Sequence, residues 1–296
     1  MTACPQTEAR FSPSWARHPT SPVRLRRLGQ WAVVSLYHEV ALYPKPGLVS
    51  FVDSGSHRDM DGQTFVRSLF ALRHYFGEMV RLGHSGAEFA TLEQCGLRAE
   101  AAMLQATGGI NTHRGAIFSL GLLSAAAGAA LGAVGHTRPE AVRALLVQRW
   151  GAALSHRALR ASGLPGGVAA RRHGLRSASE EAALGFPVLF ETTYPALCDA
   201  IDQGWGLDRA RLSALMHTMA VMDDCNLAHR GGLAGLAWAR DAAAEFLAAG
   251  GMAQPDAHAQ LQQLHQAFVA RRLSPGGAAD MLAAACWLHR AGHLAG

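Results

Sequence analysis

Three short runs carry the residue types that polyphosphate and cation chemistry needs. The first is Lys45-Pro46-Gly47 followed by residues 53–61, DSGSHRDMD. Glycines permit close backbone approach to a ligand, and Ser50, Ser54 and Ser56 with main-chain amides can donate to phosphate oxygens. Lys45 adds a point charge, His57 and Arg58 add donors, and Asp59 and Asp61 could hold a divalent cation. The plainer alternative is a turn whose Asp61 caps the next helix; a cap needs one carboxylate and no lysine, so the ligand-binding reading is preferred. The second run, residues 107–115 (TGGINTHRG), leads a glycine-rich turn into a helix start. Free amides and the positive end of a helix dipole attract anions there, and Asn111, Thr112, His113 and Arg114 strengthen the site. The GxxxxGK[ST] spacing is absent, so no P-loop fold follows. The third run, residues 223–232 (DDCNLAHRGG), is expected to continue a helix, with Asp223, Asn226 and Arg230 at i, i+3 and i+7 on one face with Met216 and Met219. Polar groups in so apolar a helix need a ligand or each other, and a buried Asp223–Arg230 pair is an equally good account.

Residue usage sharpens this choice. Lys45 is the only lysine against 26 arginines, and Asn111 and Asn226 are the only asparagines. Lysine and arginine differ in shape and hydration and do not exchange freely at a tight contact, so these survivors are candidates for a site. Glu39 and Glu100 each precede a motif loop and could face the same cavity. Glu181 follows Ser177 and Glu180, which read as a capping box, and Ser274 reads as the N-cap of a helix with Pro275 at N1.

The elements that must position these groups are helical. Apolar spacing predicts helices over about 23–43, from Phe65 through Phe76, over 91–106, from Glu180, and over 207–228, 233–248, 256–271 and 275–291. Residues 44–57 read as a loop. Residues 115–135 carry no charge and could span a bilayer by length. They are rich in Ala and Gly and bracketed by His and Arg at both ends, which suits the buried centre of a bundle better than a membrane span. Residues 155–179, with Arg157, Arg160, Arg171, Arg172 and Arg176 and no hydrophobic period, read as a mobile basic loop.

Composition agrees with one all-α domain over 23–296, preceded by a Pro-, Ser- and Arg-rich lead-in over 1–22 that is expected to be disordered. Nearly half the residues are hydrophobic but only 7% aromatic, with Ala, Leu and Gly dominant. Five scattered cysteines without a CxxC pair suggest a reducing cytoplasm, and no secretory h-region is seen. The net charge of +5 suits an anionic partner. A nucleic-acid binder would group its arginines on a helix face, whereas here they concentrate in a glycine-rich segment and in motifs that also hold acids.

The runs together resemble the triphosphoribosyl-dephospho-coenzyme A synthase family, which serves citrate lyase and malonate decarboxylase. The matching pieces are residues 39–50 (EVALYPKPGLVS), 54–61 (SGSHRDMD), 106–121 (ATGGINTHRGAIFSLG), 181–187 (EAALGFP), 223–232 (DDCNLAHRGG) and 273–282 (LSPGGAADML). They extend from about residue 36 to 290, and the tail looks most like the malonate decarboxylase branch. Two positions depart: Ser179 stands where the family often has arginine, with Arg176 nearby, and Arg114 stands where lysine is common.

The resemblance implies that the 2'-hydroxyl of 3'-dephospho-CoA attacks the anomeric carbon of ATP, releasing adenine and retaining the triphosphate. An α-linked product from a β-nucleotide fits one inverting displacement. On this reading Asp59, Asp61, Asp223 and Asp224 hold Mg2+. Lys45, Ser50, Ser54, Ser56, His57, Arg58, Asn111, Thr112, His113, Arg114, Asn226, Arg230 and Ser274 contact substrate, and Glu39, Glu100 or Glu181 supplies the base. The basic segment would clamp the coenzyme's diphosphate. A phosphoribosyl-dephospho-CoA transferase and an acyl carrier protein would follow, with no nucleic acid and no membrane involved; a homodimer is open. The rival enzyme reading is a metal-dependent hydrolase of nucleotides or ADP-ribosyl groups, which would need no acceptor.

Overall fold

The computed structural model describes residue 18 and residues 20–294. The lead-in expected over 1–22 therefore falls mostly outside the described residues, as does Cys4. Among the described residues every regular element is helical, as the composition requires.

Helix α1 (Pro22–Ala41) starts where the Ser21 hydroxyl accepts the Val23 amide and Pro22 occupies the first turn, and it ends ahead of Pro44. A long connection leads to α2 (Gly62–Leu72), whose start is a reciprocal capping box between Asp61 and Thr64. The single helix expected through Phe76 is two, because the chain turns at Arg73 and His74 before α3 (Tyr75–His84). Helix α4 (Phe89–Thr107) ends in left-handed Gly108, and the glycine turn delivers the chain to α5 (Arg114–Val134).

Helix α5 is the structural axis. It is long and apolar enough to cross a bilayer, yet most of it is buried inside the molecule, packed against α3, α6 (Pro139–Ala158) and α13 (Gly276–Gly292). Its small residues let α3 approach at backbone distance. A Cβ on Gly128 would lie 2.0 Å from the Val80 carbonyl oxygen, and one on Gly83 1.8 Å from that of Ala125. The Tyr75 hydroxyl completes the contact by donating to the Ile117 carbonyl at 2.8 Å.

The basic segment is more ordered than its composition suggested. The first part of 155–179 closes α6, Pro165 starts α7 (Pro165–His173), and the Ser177–Glu180 capping box opens α8 (Ala178–Ala183). A π-turn (Leu189–Thr193) runs into α9 (Tyr194–Asp202). The helix expected over 207–228 is also broken: α10 (Leu207–Val221) stops, and α11 (Cys225–Ala248) starts anew with Asp224 as its cap and a kink at Gly232. A short 3-10 turn precedes α12 (Ala257–Ala270), and α13 then returns to the core beside α5. The break at 222–224 matters because it turns the third motif from a helix face into a helix start.

Gly128→Ala should lower stability by roughly 1–3 kcal/mol or more, since two backbones must part to admit one methyl. Gly77→Ala, whose methyl meets nothing nearer than 3.7 Å, should be neutral or stabilising by up to about 1 kcal/mol. Urea denaturation of the two variants measures the difference.

Candidate functional site

The ends of α1, α4, α5, α7, α11 and α13 enclose a cavity of about 790 Å³, in the upper part of the range for small-molecule sites. Its lining includes one group of Glu39, His57, Asp59, His113, Ser274 and Asp280, and another of Glu93, paired with Arg157 and Arg160, together with Arg171. The wall also includes the apolar side chains of Phe118, Leu122 and Leu97, and Phe118 carries the Arg157 guanidinium 4.8 Å over its ring.

Lys45 lies behind this wall. Its side chain is fully buried, and its ammonium donates at 2.5 Å to both the Glu39 carboxylate and the Glu39 carbonyl. Burial pushes the lysine pKa down while Glu39 pulls it back up. Lys45 thus serves the site through Glu39, which reaches the cavity surface, and is not itself a lining residue.

The start of α5 is equally constrained. His113 is buried, its Nδ1 lies 2.7 Å from the Ser68 hydroxyl, and desolvation and the Lys45 charge push its pKa down to about 3. The imidazole is therefore neutral, and its Nε2 is buried with no partner, as is the Thr112 hydroxyl. Both residues line the cavity. Each atom is itself almost without accessible surface, and a buried polar atom left unpaired costs about 1–3 kcal/mol. The amides expected to hold an anion are largely taken: His113 donates to the Met103 sulfur, Arg114 to the Asn111 side chain, and Ala116 to Asp280. Arg114 pairs with Glu100 at 2.6 Å.

Several predicted site residues turn out to hold the scaffold. The Ser50 hydroxyl accepts the Val52 and Asp53 amides, and the Ser56 hydroxyl donates to the Leu273 carbonyl. Ser54 and Arg58 do not line the cavity, and neither does Asp61, which caps α2. Glu181 is buried elsewhere, accepting the Val188 amide and pairing with Arg176 at 2.9 Å. Arg176 does then reach the acid that the family's missing arginine precedes, while Ser179 accepts from Arg157 at 2.5 Å. Asn226 and Arg230 do line the cavity, but Arg230 is anchored to the Ser56 and Arg272 carbonyls. The expected Asp223–Arg230 pair does not form, because the broken helix sends Asp223 to Arg240 at 2.7 Å. Ser274 faces the cavity, with its hydroxyl 3.0 Å from His57 Nε2, and α13 begins two residues later.

The four aspartates proposed for Mg2+ do not fit a resident metal site. Asp224 is buried, one oxygen accepting the Asn226 and Leu227 amides and the other the Ala278 amide, so it caps α11 and α13 together. Asp61 is committed to its capping box and Asp223 to Arg240, which leaves Asp59 as the member that lines the cavity. Among the described residues no cluster of three or more potential ligands is found.

Sequence reasoning passed over one group. Asp280, inside the quoted tail motif, lines the cavity from the first turns of α13. Its position four residues past a Gly-Gly helix start was the available signal.

Comparison with known proteins identifies the family. Residues 25–296 match the model of the ATP:dephospho-CoA triphosphoribosyl transferase family. The chain belongs to that family. It is 37% identical over 290 residues to the 2-(5''-triphosphoribosyl)-3'-dephosphocoenzyme-A synthase of Klebsiella pneumoniae, covering 90% of this chain and 94% of that protein. Proteins bearing the same name prefixed "Probable" match from Pseudomonas aeruginosa, at 40% identity over 89% of this chain and 90% of the relative, and from Acinetobacter calcoaceticus, at 36% over 90% and 91%. No solved structure matches.

Truncating one member of a buried ion pair typically costs about 3–5 kcal/mol, because the other charge is stranded. Lys45→Met should show a loss of this size, and the double variant Lys45→Met/Glu39→Gln should recover part of it. A double-mutant cycle by chemical denaturation checks the coupling.

Proposed function

We propose that this transferase moves the 5-triphosphoribosyl group of ATP onto the 2'-hydroxyl of 3'-dephospho-CoA with release of adenine. The observation that carries the reading is one cavity lined both by the carboxyl groups of Glu39, Asp59 and Asp280 and by Arg157, Arg160 and Arg171, with apolar side chains among them. ATP's ribose would sit near Glu39, with the unpaired His113 Nε2 and Thr112 hydroxyl bonding the nucleotide. Arg157, Arg160 and Arg171 would meet the acceptor's diphosphate. The apolar wall suits the coenzyme's alkyl amide arm.

Of the three acids considered for the base, Glu39 is the best supported. Glu100 is engaged by Arg114, and Glu181 does not reach the cavity. Glu39 presents a carboxylate to the cavity while Lys45 fixes its orientation from behind. It would accept the 2'-hydroxyl proton as the oxygen attacks the ribose C1' on the face opposite adenine. Magnesium would arrive with the nucleotide, whose phosphate oxygens supply most of its ligands, as is usual for this ion. The product would serve the acyl carrier protein of malonate decarboxylase, which the tail motif favours over citrate lyase, after a downstream phosphoribosyl-dephospho-CoA transferase.

Mass spectrometry after mixing the protein with ATP, magnesium and dephospho-CoA should show one adenine released per coupled product. Adenine or ribose triphosphate formed at the same rate without dephospho-CoA would instead establish the hydrolase reading. Glu39→Gln should lower kcat on the order of 10²–10⁴-fold, the usual contribution of a positioned base. Arg171→Ala should raise KM for dephospho-CoA several-fold and leave KM for ATP unchanged; steady-state kinetics with each substrate varied in turn separates the two.

A further inference from the structure

Asp280 sits where the chemistry has an unmet need. Adenine leaves a ribosyl carbon poorly as an anion, so a proton must reach a ring nitrogen as the C1'–N9 bond breaks. The Asp280 carboxyl lines the cavity and stands close enough to Glu39 for their charges to interact. It lies against the first turn of α5 and accepts the Ala116 amide. This approach depends on Gly115, since a Cβ there would fall 1.9 Å from Asp280 Oδ2. The charged groups that act on it are Glu39 of α1, itself paired with Lys45 of the following loop, and Asp224 at the start of α11.

The Ala116 amide favours the anion. Burial opposes it more strongly, and so do the charges of Glu39 and Asp224, which together raise the Asp280 pKa well above the ordinary carboxylate value. The cavity therefore holds two different carboxyl groups, Asp280 pushed toward its neutral form and Glu39 ion-paired with the Lys45 ammonium.

We propose that Asp280 is the general acid of the transfer, donating its proton to a purine ring nitrogen while Glu39 takes the proton of the acceptor hydroxyl. The acceptor oxygen forms its bond to C1', the C1'–N9 electron pair passes to the ring, and neutral adenine leaves. Glu39 ends protonated and Asp280 ionised, and exchange with solvent restores both, so nothing beyond the two substrates is consumed. The inference rests on the transferase reading of the cavity.

Asp280→Asn tests it, since the amide matches the neutral acid in size. With ATP, kcat should fall on the order of 10²–10⁴-fold with KM for either substrate little changed. The decline of wild-type kcat with rising pH, as Asp280 loses its proton, should vanish from the variant's profile. With 7-methyl-ATP, whose ring is already cationic and needs no proton to leave, the variant should come within tenfold of the wild type. The variant should also be more heat-stable than the wild type at pH 8, by a margin that shrinks toward pH 5. A raised folded-state pKa lets the unfolded chain ionise first, which penalises the native acid increasingly as pH rises above the unfolded value. Retention of kcat within threefold with ATP would overturn the assignment. So would a variant that keeps the alkaline decline, or a stable variant equally slow with both nucleotides. A wild-type protein that makes no coupled product from ATP and dephospho-CoA would instead take down the transferase reading itself.

Discussion

The arrangement depends on a lysine ammonium that is removed from water and answered by one carboxylate. Desolvating either charge alone would cost several kcal/mol, so Lys45 and Glu39 hold each other in place. That requirement fixes where α1 ends and how the 42–61 connection folds back over it. It also presents Glu39 to the cavity from a wall that cannot shift without stranding a charge. Burial, aided by the same positive charge, keeps His113 neutral, so the start of α5 meets the cavity with an uncharged ring. A buried pair of this kind contributes little net stability compared with an apolar replacement, and its value here is orientation.

Around that pair, the polar motif residues divide between ligand-facing groups and groups that build the walls. Asp224 is the clearest wall-builder, since one carboxylate caps two helices that both border the cavity. Ser50, Ser56 and Asp61 perform the same service for the connection ahead of α2. Among the motif residues, the buried His113 Nε2 and Thr112 hydroxyl are left without partners and come from adjacent positions. The cavity is thus preorganised by hydrogen bonds that are complete before a ligand enters.

Much of the fold was legible in the sequence because α5 declares itself. A run of 21 residues from Arg114 to Val134, rich in Ala and Gly, packs only where other helices can approach closely, and α3 does so through Gly83 and Gly128. The sequence misled where short polar segments interrupt helices. The break at 222–224 carries neither proline nor glycine, and an aspartate that caps resembles one that binds metal. The basic run of 155–179 resembled a loop because α7 is short and its cues are Pro165 and the left-handed Gly174 rather than an apolar stripe. Within the site, Glu39, His113 and Ser274 come from separate motifs and line one cavity, with Lys45 buried behind Glu39. What residue identity could not show was which member of each motif faces inward, because that depends on tertiary contacts such as Gly115 against Asp280.

Lys45 is the only lysine in the chain, so a protein labelled with [ζ-15N]lysine yields one side-chain nitrogen resonance. If the Glu39–Lys45 pair organises the site, that resonance is an ammonium at neutral pH, slow to exchange with water. In Glu39→Gln it moves to the neutral amine position, because burial then acts without its compensating charge. A rapidly exchanging ammonium that ignores the Glu39→Gln substitution would contradict the account.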